Sequence, residues 1–334
     1  MKTTAIGVEN LCVRCHAHCR YCLLSWNGKP VGVDYDRGKR FTERLFSELN
    51  LERPDLRVLY YIGYCMDGPH LPDYIRFCRS VGSPSGEFLQ LNGLALRDRE
   101  EAEGYIRNIA SLGIRRVDLT FYGLREYHDR FAGRTGDFDL LLALLDAAGR
   151  AGVQADVSLP ILRENMAETD ALLELLRKYR VGRYFAFLPH GKGRGRTIED
   201  QRLTKAEFES LSQEVRACFS PNVRYQTEAE WIREGIWPVP QTRTLTLSLT
   251  PENMDELEAM PAGAVVSMLE KMDDCFYAAI PPPAELAAYC GDPKGQKMYR
   301  LRDLLLEWRG RFLGKSGPSL HNMDDEQGHF SVRV

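Results

Sequence analysis

Short apolar segments rich in β-branched and aromatic residues alternate with longer amphipathic segments over the first two hundred positions. Six of the apolar segments have the length and composition of buried strands: 4–11, 57–64, 86–91, 116–121, 153–159 and 183–188. Helical patterns lie between them, at 42–50, 72–80, 98–112, 137–151 and 166–179. This alternation predicts an α/β fold with a parallel sheet and right-handed crossovers, either an open doubly wound sheet or a barrel.

The pattern changes at a basic, glycine-rich loop, 189–197, which we interpret as the end of the repeat. Beyond it, Thr204 and Glu207 have the spacing of a capping box and predict a helix over 204–219. Residues 242–250 alternate like a strand, and further helices are predicted on either side of a run of three prolines. We therefore expect three regions: an α/β domain over 1–200, an α+β extension over 201–314 and a polar tail over 315–334.

The composition describes a chain that can bury a large core. It has 334 residues, of which 44% are hydrophobic, so stability needs no disulfide framework. With 44 basic against 47 acidic residues the net charge is -3, which argues against a broad electrostatic surface for nucleic acid or anionic membrane. No apolar run approaches the roughly 20 residues of a membrane span, and the first residues lack a secretory pattern. We expect a cytoplasmic protein with reduced thiols.

Four of the nine cysteines fall within eleven residues. Cys15, Cys19 and Cys22 have the spacing C-x3-C-x2-C, and three thiolates on a short loop can bind three corners of an iron–sulfur cube. The fourth iron then stays open to a small molecule. The competing interpretation is a structural zinc site that adds Cys12, although only three residues separate the two C-x2-C pairs, where a zinc ribbon has roughly 12–20. Cys12 is also a candidate fourth cluster ligand.

With an aromatic residue, Tyr21, before the last cysteine, this loop resembles the signature of the radical S-adenosylmethionine (SAM) superfamily. The resemblance extends over roughly residues 4–197 and implies a partial (βα)6 TIM-like barrel. It implies a [4Fe-4S] cluster on Cys15, Cys19 and Cys22, with the amine and carboxylate of SAM on the open iron. Reductive cleavage of SAM then gives methionine and a 5′-deoxyadenosyl radical that removes a substrate hydrogen, while the protein orients the reactants and excludes water.

Further matches to the family lie at the carboxyl ends of the predicted strands. The turn at 62–68 takes the place of the family's Gly-Gly-Glu turn, from which it departs, and Asn92-Gly93 resembles the family's TNG. Together with Tyr21 and with residues at the carboxyl ends of the fourth, fifth and sixth strands, these turns give the predicted cofactor-binding set: Tyr21, Gly63, Asp67, Asn92, Thr120, Ser158 and Leu188. The alternatives are an ordinary turn for Asn92-Gly93 and a capping hydroxyl for Ser158.

The segment 118–153 resembles the family's strand, "EHD…G..G.F" motif and Leu-rich helix, and is closest to the branch that modifies peptides and small molecules. Tyr122 follows the fourth strand at the mouth of the barrel, where parallel barrels place their chemistry. Tyr122, His128, Arg130 and Cys65 are the catalytic candidates, with no role chosen among them. Alternatively, His128 and Arg130 anchor the following loop, and Cys65 is a small buried thiol.

The cysteines of the last third, Cys218, Cys275 and Cys290, contain no C-x2-C pair, so we expect a single cluster. The leading hypothesis is a radical SAM enzyme that modifies a peptide side chain or a small polar metabolite. It would receive electrons from an external donor of the flavodoxin or ferredoxin type and would bind neither membrane nor nucleic acid. The alternatives are an RNA-modifying or methylating radical SAM enzyme, and a zinc- or cluster-stabilised binding module without catalysis.

Overall fold

The structure is a computed structural model, and it describes residues 1–22, 29–63, 66–189, 191, 193–237 and 241–314. Two sequence predictions fall outside the described residues: Cys65 and the polar tail over 315–334. Within the part described, no helix has both the length and the apolar character needed to cross a bilayer.

All six predicted strands form, and every pairing among them is parallel. Their bounds are β1 (Lys2–Glu9), β2 (Arg57–Tyr61), β3 (Phe88–Gln90), β4 (Arg116–Thr120), β5 (Gln154–Pro160) and β6 (Val181–Phe187). Strand β1 pairs with β2, and the other four form a sheet in the order β3-β4-β5-β6. The predicted α/β partial barrel is confirmed.

Helices connect these strands and cover them. Their bounds are α1 (Tyr35–Glu52), α2 (Leu71–Ser80), α3 (Arg99–Ser111), α4 (Arg125–Ala132), α5 (Asp137–Ala151) and α6 (Thr169–Leu176). Helix α5 packs beside α3 and buries a stripe that includes Leu141, Leu144 and Leu145, as the Leu-rich pattern predicts. The strands and helices share one continuous apolar core.

Helix α4 has no counterpart among the predicted helices. Its sequence is mostly polar, and its buried side chains are Tyr127, His128, Phe131 and Ala132. Gly133 ends the helix in the left-handed conformation, with φ of 72°. Aromatic packing against the loop that follows β1, rather than helix propensity, therefore stabilises this element.

The prediction of a single helix over 204–219 is wrong. Two short helices form instead, α7 (Lys205–Ser210) and α8 (Gln213–Ala217), because Leu211 adopts an extended conformation and the Ser212 hydroxyl caps α8 by accepting from the Val215 N–H. The capping box of Thr204 and Glu207 is present at the start of α7, as predicted.

Strand β8 (Thr242–Ser248) pairs in parallel with β1, on the side opposite β2. The last third therefore contributes a strand to the sheet at the start of the chain. Its remaining elements are β7 (Gln226–Thr227), α9 (Glu228–Glu234), α10 (Met254–Ala259), α11 (Ala262–Ala278), α12 (Pro283–Cys290), β9 (Met298–Tyr299) and α13 (Leu301–Leu313). A second apolar core, centred on Trp231, Leu304 and Trp308, holds several of them together. The region boundary near residue 200 stays a prediction.

Candidate functional site

A cavity opens where the carboxyl ends of β1 to β4 meet. It encloses about 860 Å³ of empty space, a figure that includes its open mouth. The predicted residues that line it are Cys15, Cys19, Cys22, Tyr21, Gly63, Asn92, Thr120 and Tyr122. Sequence positions far apart in the chain therefore reach one cavity, because parallel strands end at the same edge of the barrel. Gln90 also lines it, a residue that strand alternation on β3 would have suggested.

Backbone hydrogen bonds fix the cysteine loop, residues 12–22, to the elements around it. Its amides donate to carbonyls at the ends of β2, β3 and α4: Val13 to Ile62, His16 to Gly93, His18 to Ala132 and Arg20 to Phe131, at 2.8–3.2 Å. The loop thus rests on three successive βα units, and its path depends on each of them.

Gly133 allows the cysteine loop to approach the end of α4 closely. A Cβ atom at this position would lie 2.8 Å from the carbonyl oxygen of His18 and 2.9 Å from its Cβ. The left-handed φ of 72° adds a second reason for glycine.

Arg194 holds the other end of the cysteine loop. Its guanidinium donates to the Cys19 carbonyl from Nε at 3.0 Å and from Nη2 at 2.8 Å. Its backbone N–H donates to the Cys22 carbonyl at 2.9 Å. The segment after β6 therefore closes over the loop that follows β1.

Burial raises the pKa of the Cys15 thiol, and it raises the pKa of Cys19 to about 12. Both are protonated at neutral pH unless a cation binds, and binding would release the protons. Across the described residues, no three His, Cys, Asp or Glu side chains are placed to share one metal ion. In a four-iron cluster each thiolate binds a different iron, so such ligands are spread more widely than those of a single ion.

Cys12 lies apart from the other three. It lines a neighbouring cavity together with Asp67 and His70, and burial raises its pKa to about 11. The carboxylate of Asp67 accepts from the Arg97 guanidinium at 2.5 Å and from the Ala95 N–H at 2.6 Å. Burial opposes ionisation of Asp67, but the hydrogen bonds from Arg97 and Ala95 outweigh this effect and lower its pKa.

Among the catalytic candidates that the structure describes, Tyr122 reaches the cysteine cavity. Its hydroxyl lies 3.2 Å from the sulfur of Cys19, and burial raises its pKa well above the ordinary value, so it keeps its proton. The Tyr21 ring packs edge-on against it, with 5.6 Å between centroids. Arg130 is exposed, with its guanidinium over the Tyr127 ring and away from the lining of this cavity.

His128 supports Tyr122 from behind. It is fully buried, accepts the Tyr122 N–H at Nδ1 (3.1 Å), and lies with Nε2 3.1 Å from Asp137. Since Nδ1 accepts, Nε2 carries the proton and donates to the carboxylate. Burial opposes ionisation of Asp137, but hydrogen bonds from His128 and Arg134 lower its pKa. Sequence reasoning did not single out Asp137.

The amide of Asn92 joins β3 to β4. It donates to the Thr120 carbonyl at 3.0 Å and accepts the Thr120 N–H at 2.7 Å. These two bonds continue the hydrogen bonding between β3 and β4 by one residue pair. Asn92 therefore lines the cavity while fixing the end of β4. Two other predicted residues lie outside the lining: Ser158, which donates to Asp118 at 2.9 Å, and Leu188, which is fully buried.

The fold and the cavity together define a partial-barrel protein with a thiol-lined site at the carboxyl ends of its first strands. The chain belongs to the radical SAM superfamily, whose sequence model matches residues 10–176. It is an enzyme, and its family uses a [4Fe-4S] cluster and SAM.

Fe-coproporphyrin III synthase from Methanosarcina barkeri is 24% identical over 202 residues, which are 60% of this chain and 48% of that protein. SuiB from Streptococcus suis, solved with its precursor peptide SuiA, superposes with a TM-score of 0.47 and 13% identity over 64% of this chain and 46% of SuiB. HemN from Escherichia coli, a coproporphyrinogen III oxidase, superposes with a TM-score of 0.43 and 14% identity over 75% of this chain and 63% of HemN. The chain spans about half the length of the synthase and of SuiB.

Proposed function

We propose that this enzyme cleaves SAM reductively at a single [4Fe-4S] cluster bound by Cys15, Cys19 and Cys22, and then modifies a peptide side chain or a small polar metabolite. The observation that carries the proposal is the convergence of these three thiols on one cavity at the strand ends. Three thiolates leave one iron open for SAM.

The lining of the cavity suits both the cluster and SAM. Gly63 and Gly93 have positive φ, and at both the cavity is bounded by backbone without a side chain. We assign Tyr21, Gly63, Asn92 and Thr120 to SAM contacts, whereas Asp67, Ser158 and Leu188 stay predictions from the family resemblance. When bound, the cluster and SAM supply the chemistry, a one-electron cleavage to methionine and a 5′-deoxyadenosyl radical that takes a hydrogen atom from the substrate.

A row of polar residues crosses the sheet beside the cavity, and its first member, Gln90, lines the cavity and supports a polar substrate. Gln90, Asp118 and Asp156 lie side by side in register on β3, β4 and β5, where packed barrels usually carry branched apolar residues. Fe-coproporphyrin III synthase is named for a small-molecule product, which supports a small molecule as the substrate here. An external flavodoxin or ferredoxin would supply the electron.

The test is formation of 5′-deoxyadenosine. We expect the anaerobically reconstituted protein to form it from SAM and dithionite, and a Cys15/Cys19/Cys22→Ala triple variant to form none because it cannot hold the cluster. Cys12→Ala is the matched control, since Cys12 lines a different cavity, and we expect it to retain activity. Nucleoside formation that persists in the triple variant would contradict the proposal.

Metal analysis of the same samples separates the remaining hypotheses. About four irons per chain supports the enzyme proposal, whereas one zinc and no nucleoside favours a binding module. RNA binding that weakens steeply with salt would favour an RNA-modifying enzyme.

A further inference from the structure

We propose that the Tyr122 hydroxyl raises the reduction potential of the cluster by donating a hydrogen bond to the sulfur of Cys19. This inference rests on the proposed ligation by Cys19. The two side-chain atoms lie 3.2 Å apart, and Tyr122 is only 3% exposed. A thiolate bound to iron carries no proton, so the hydroxyl is the donor in this pair.

The position of Tyr122 is fixed on both sides of its backbone. Its N–H donates to His128 at 3.1 Å, and its carbonyl accepts from the Asn165 side chain at 2.6 Å. The Tyr122 ring stacks on the His128 ring, with 5.0 Å between centroids. The hydrogen bonds fix the backbone of Tyr122, and the ring contact with His128 opposes rotation of the side chain away from the sulfur.

Asn165 is itself buried and held in place. Its side chain accepts the Leu162 N–H at 2.7 Å and donates to the Pro160 carbonyl at 2.8 Å. On the other side, Asp137 fixes the ring of His128. Tyr122 thus sits between two supports that reach it from the end of β5 and from the start of α5.

A hydrogen bond to a ligand sulfur withdraws electron density from the cluster and stabilises the reduced state, which carries more negative charge. The effect is stronger in a site with little water, because the local dielectric constant is low. Tyr122 acts here through Cys19, so it is a positioning and tuning residue for the cluster.

The experiment is a redox titration of the reconstituted holoenzyme followed by electron paramagnetic resonance. In Tyr122→Phe, which keeps the ring, we expect the ratio of reduced to oxidised cluster at the wild-type midpoint to fall about threefold, roughly 30 mV for a one-electron couple. Tyr127→Phe is the matched control. Tyr127 belongs to the same aromatic cluster, but its hydroxyl contacts Glu164 at 3.3 Å, so the potential should not change.

An unchanged potential in Tyr122→Phe with full iron content would overturn the inference. If this variant takes up less iron, replacement of Tyr122 by 3-fluorotyrosine keeps ring and hydroxyl and makes the proton a better donor. The potential should then rise, and an unchanged value would overturn the inference. Iron and sulfide analysis of the wild type comes first, because a protein without four irons per chain would contradict the proposed function instead.

Discussion

Asp118 is a carboxylate inside the barrel. It lies on β4 two positions before Thr120, is 6% exposed, and accepts one hydrogen bond, from Ser158 at 2.9 Å. Its Oδ1 atom is buried and has no hydrogen-bond partner among the described residues. Burial raises the pKa of Asp118 to about 6, while the Ser158 hydroxyl opposes the shift.

This raised pKa predicts a pH-dependent stability. The folded state holds the proton more tightly than the unfolded state, whose pKa is near 3.8, so stability from this group is complete below about pH 4 and is lost as the pH rises through 6. The loss is about 3 kcal/mol at 1.36 kcal/mol per pKa unit. We expect Asp118→Asn to lack this loss of stability with rising pH, as measured by urea unfolding between pH 4 and pH 8.

Ser158→Ala is the companion variant to Asp118→Asn. Removing the hydroxyl that stabilises the charged form should move the pH transition upward without abolishing it. Identical pH profiles for wild type and Asp118→Asn would contradict the assignment.

For single residues, the sequence predicts which side chains share a cavity better than it predicts which atoms they contact. The spacing of the three cysteines and the strand ends place Tyr122, Asn92 and Thr120 together. The hydroxyl–sulfur contact of Tyr122 and the hydrogen bond from His128 to Asp137 depend on side-chain rotamers. Side-chain rotamers depend on the packing of the folded protein, and the spacing of residues along the sequence does not determine them.

At the scale of elements, periodicity predicted most of the strands and helices that alternate along the barrel. It failed for α4, whose polar sequence forms a helix only because aromatic residues pack against the cysteine loop. It failed again over 204–219, where a continuous amphipathic pattern concealed the local cap at Ser212. In both cases tertiary contacts or side-chain hydrogen bonds outweighed the pattern.

Gly133 and Gly152 provide a matched pair of helix ends. They follow α4 and α5 with φ of 72° and 71°, but a Cβ would meet His18 only at Gly133, while Gly152 has nothing within 4 Å. We expect alanine to cost about 1–2 kcal/mol of backbone strain at either position. Only Gly133→Ala should also displace the cysteine loop and reduce iron uptake.

Denaturant unfolding and iron content after reconstitution measure the two effects of alanine at Gly133 and Gly152. Equal iron uptake by the two variants would show that the close approach of Gly133 to His18 does not control the loop.

At the scale of the whole molecule, β8 ties the last third of the chain to its beginning. Arg243 on β8 donates to Thr3 of β1 at 3.0 Å and to Asp273 of α11 at 2.7 Å. The β1 and β8 partners are about 240 positions apart. The strand pattern over 242–250 predicted a strand but held no information about its partner.

Arg243→Met should destabilise the protein by about 3–5 kcal/mol, because Asp273 is fully buried and would lose its main counter-charge. Arg37→Met is the control, since it removes exposed ion pairs to Asp255 and Glu258 and should leave the free energy of unfolding almost unchanged. Urea unfolding gives both values.

A double variant, Arg243→Met with Asp273→Leu, should recover part of the loss. If it is no more stable than Arg243→Met alone, the buried charge is not the cause of the destabilisation.

The contact of Arg194 with Cys19 spans 175 positions of sequence, and this separation sets an order of events during biosynthesis. A ribosome that adds 5–20 residues per second exposes the cysteines roughly 9–35 s before Arg194 is synthesised. During that interval the thiols are open to oxidants and to stray metal ions. The Arg194 contact with the cysteine loop can form only after this part of the chain has been translated, so a newly made chain depends on its thiols being kept reduced until then.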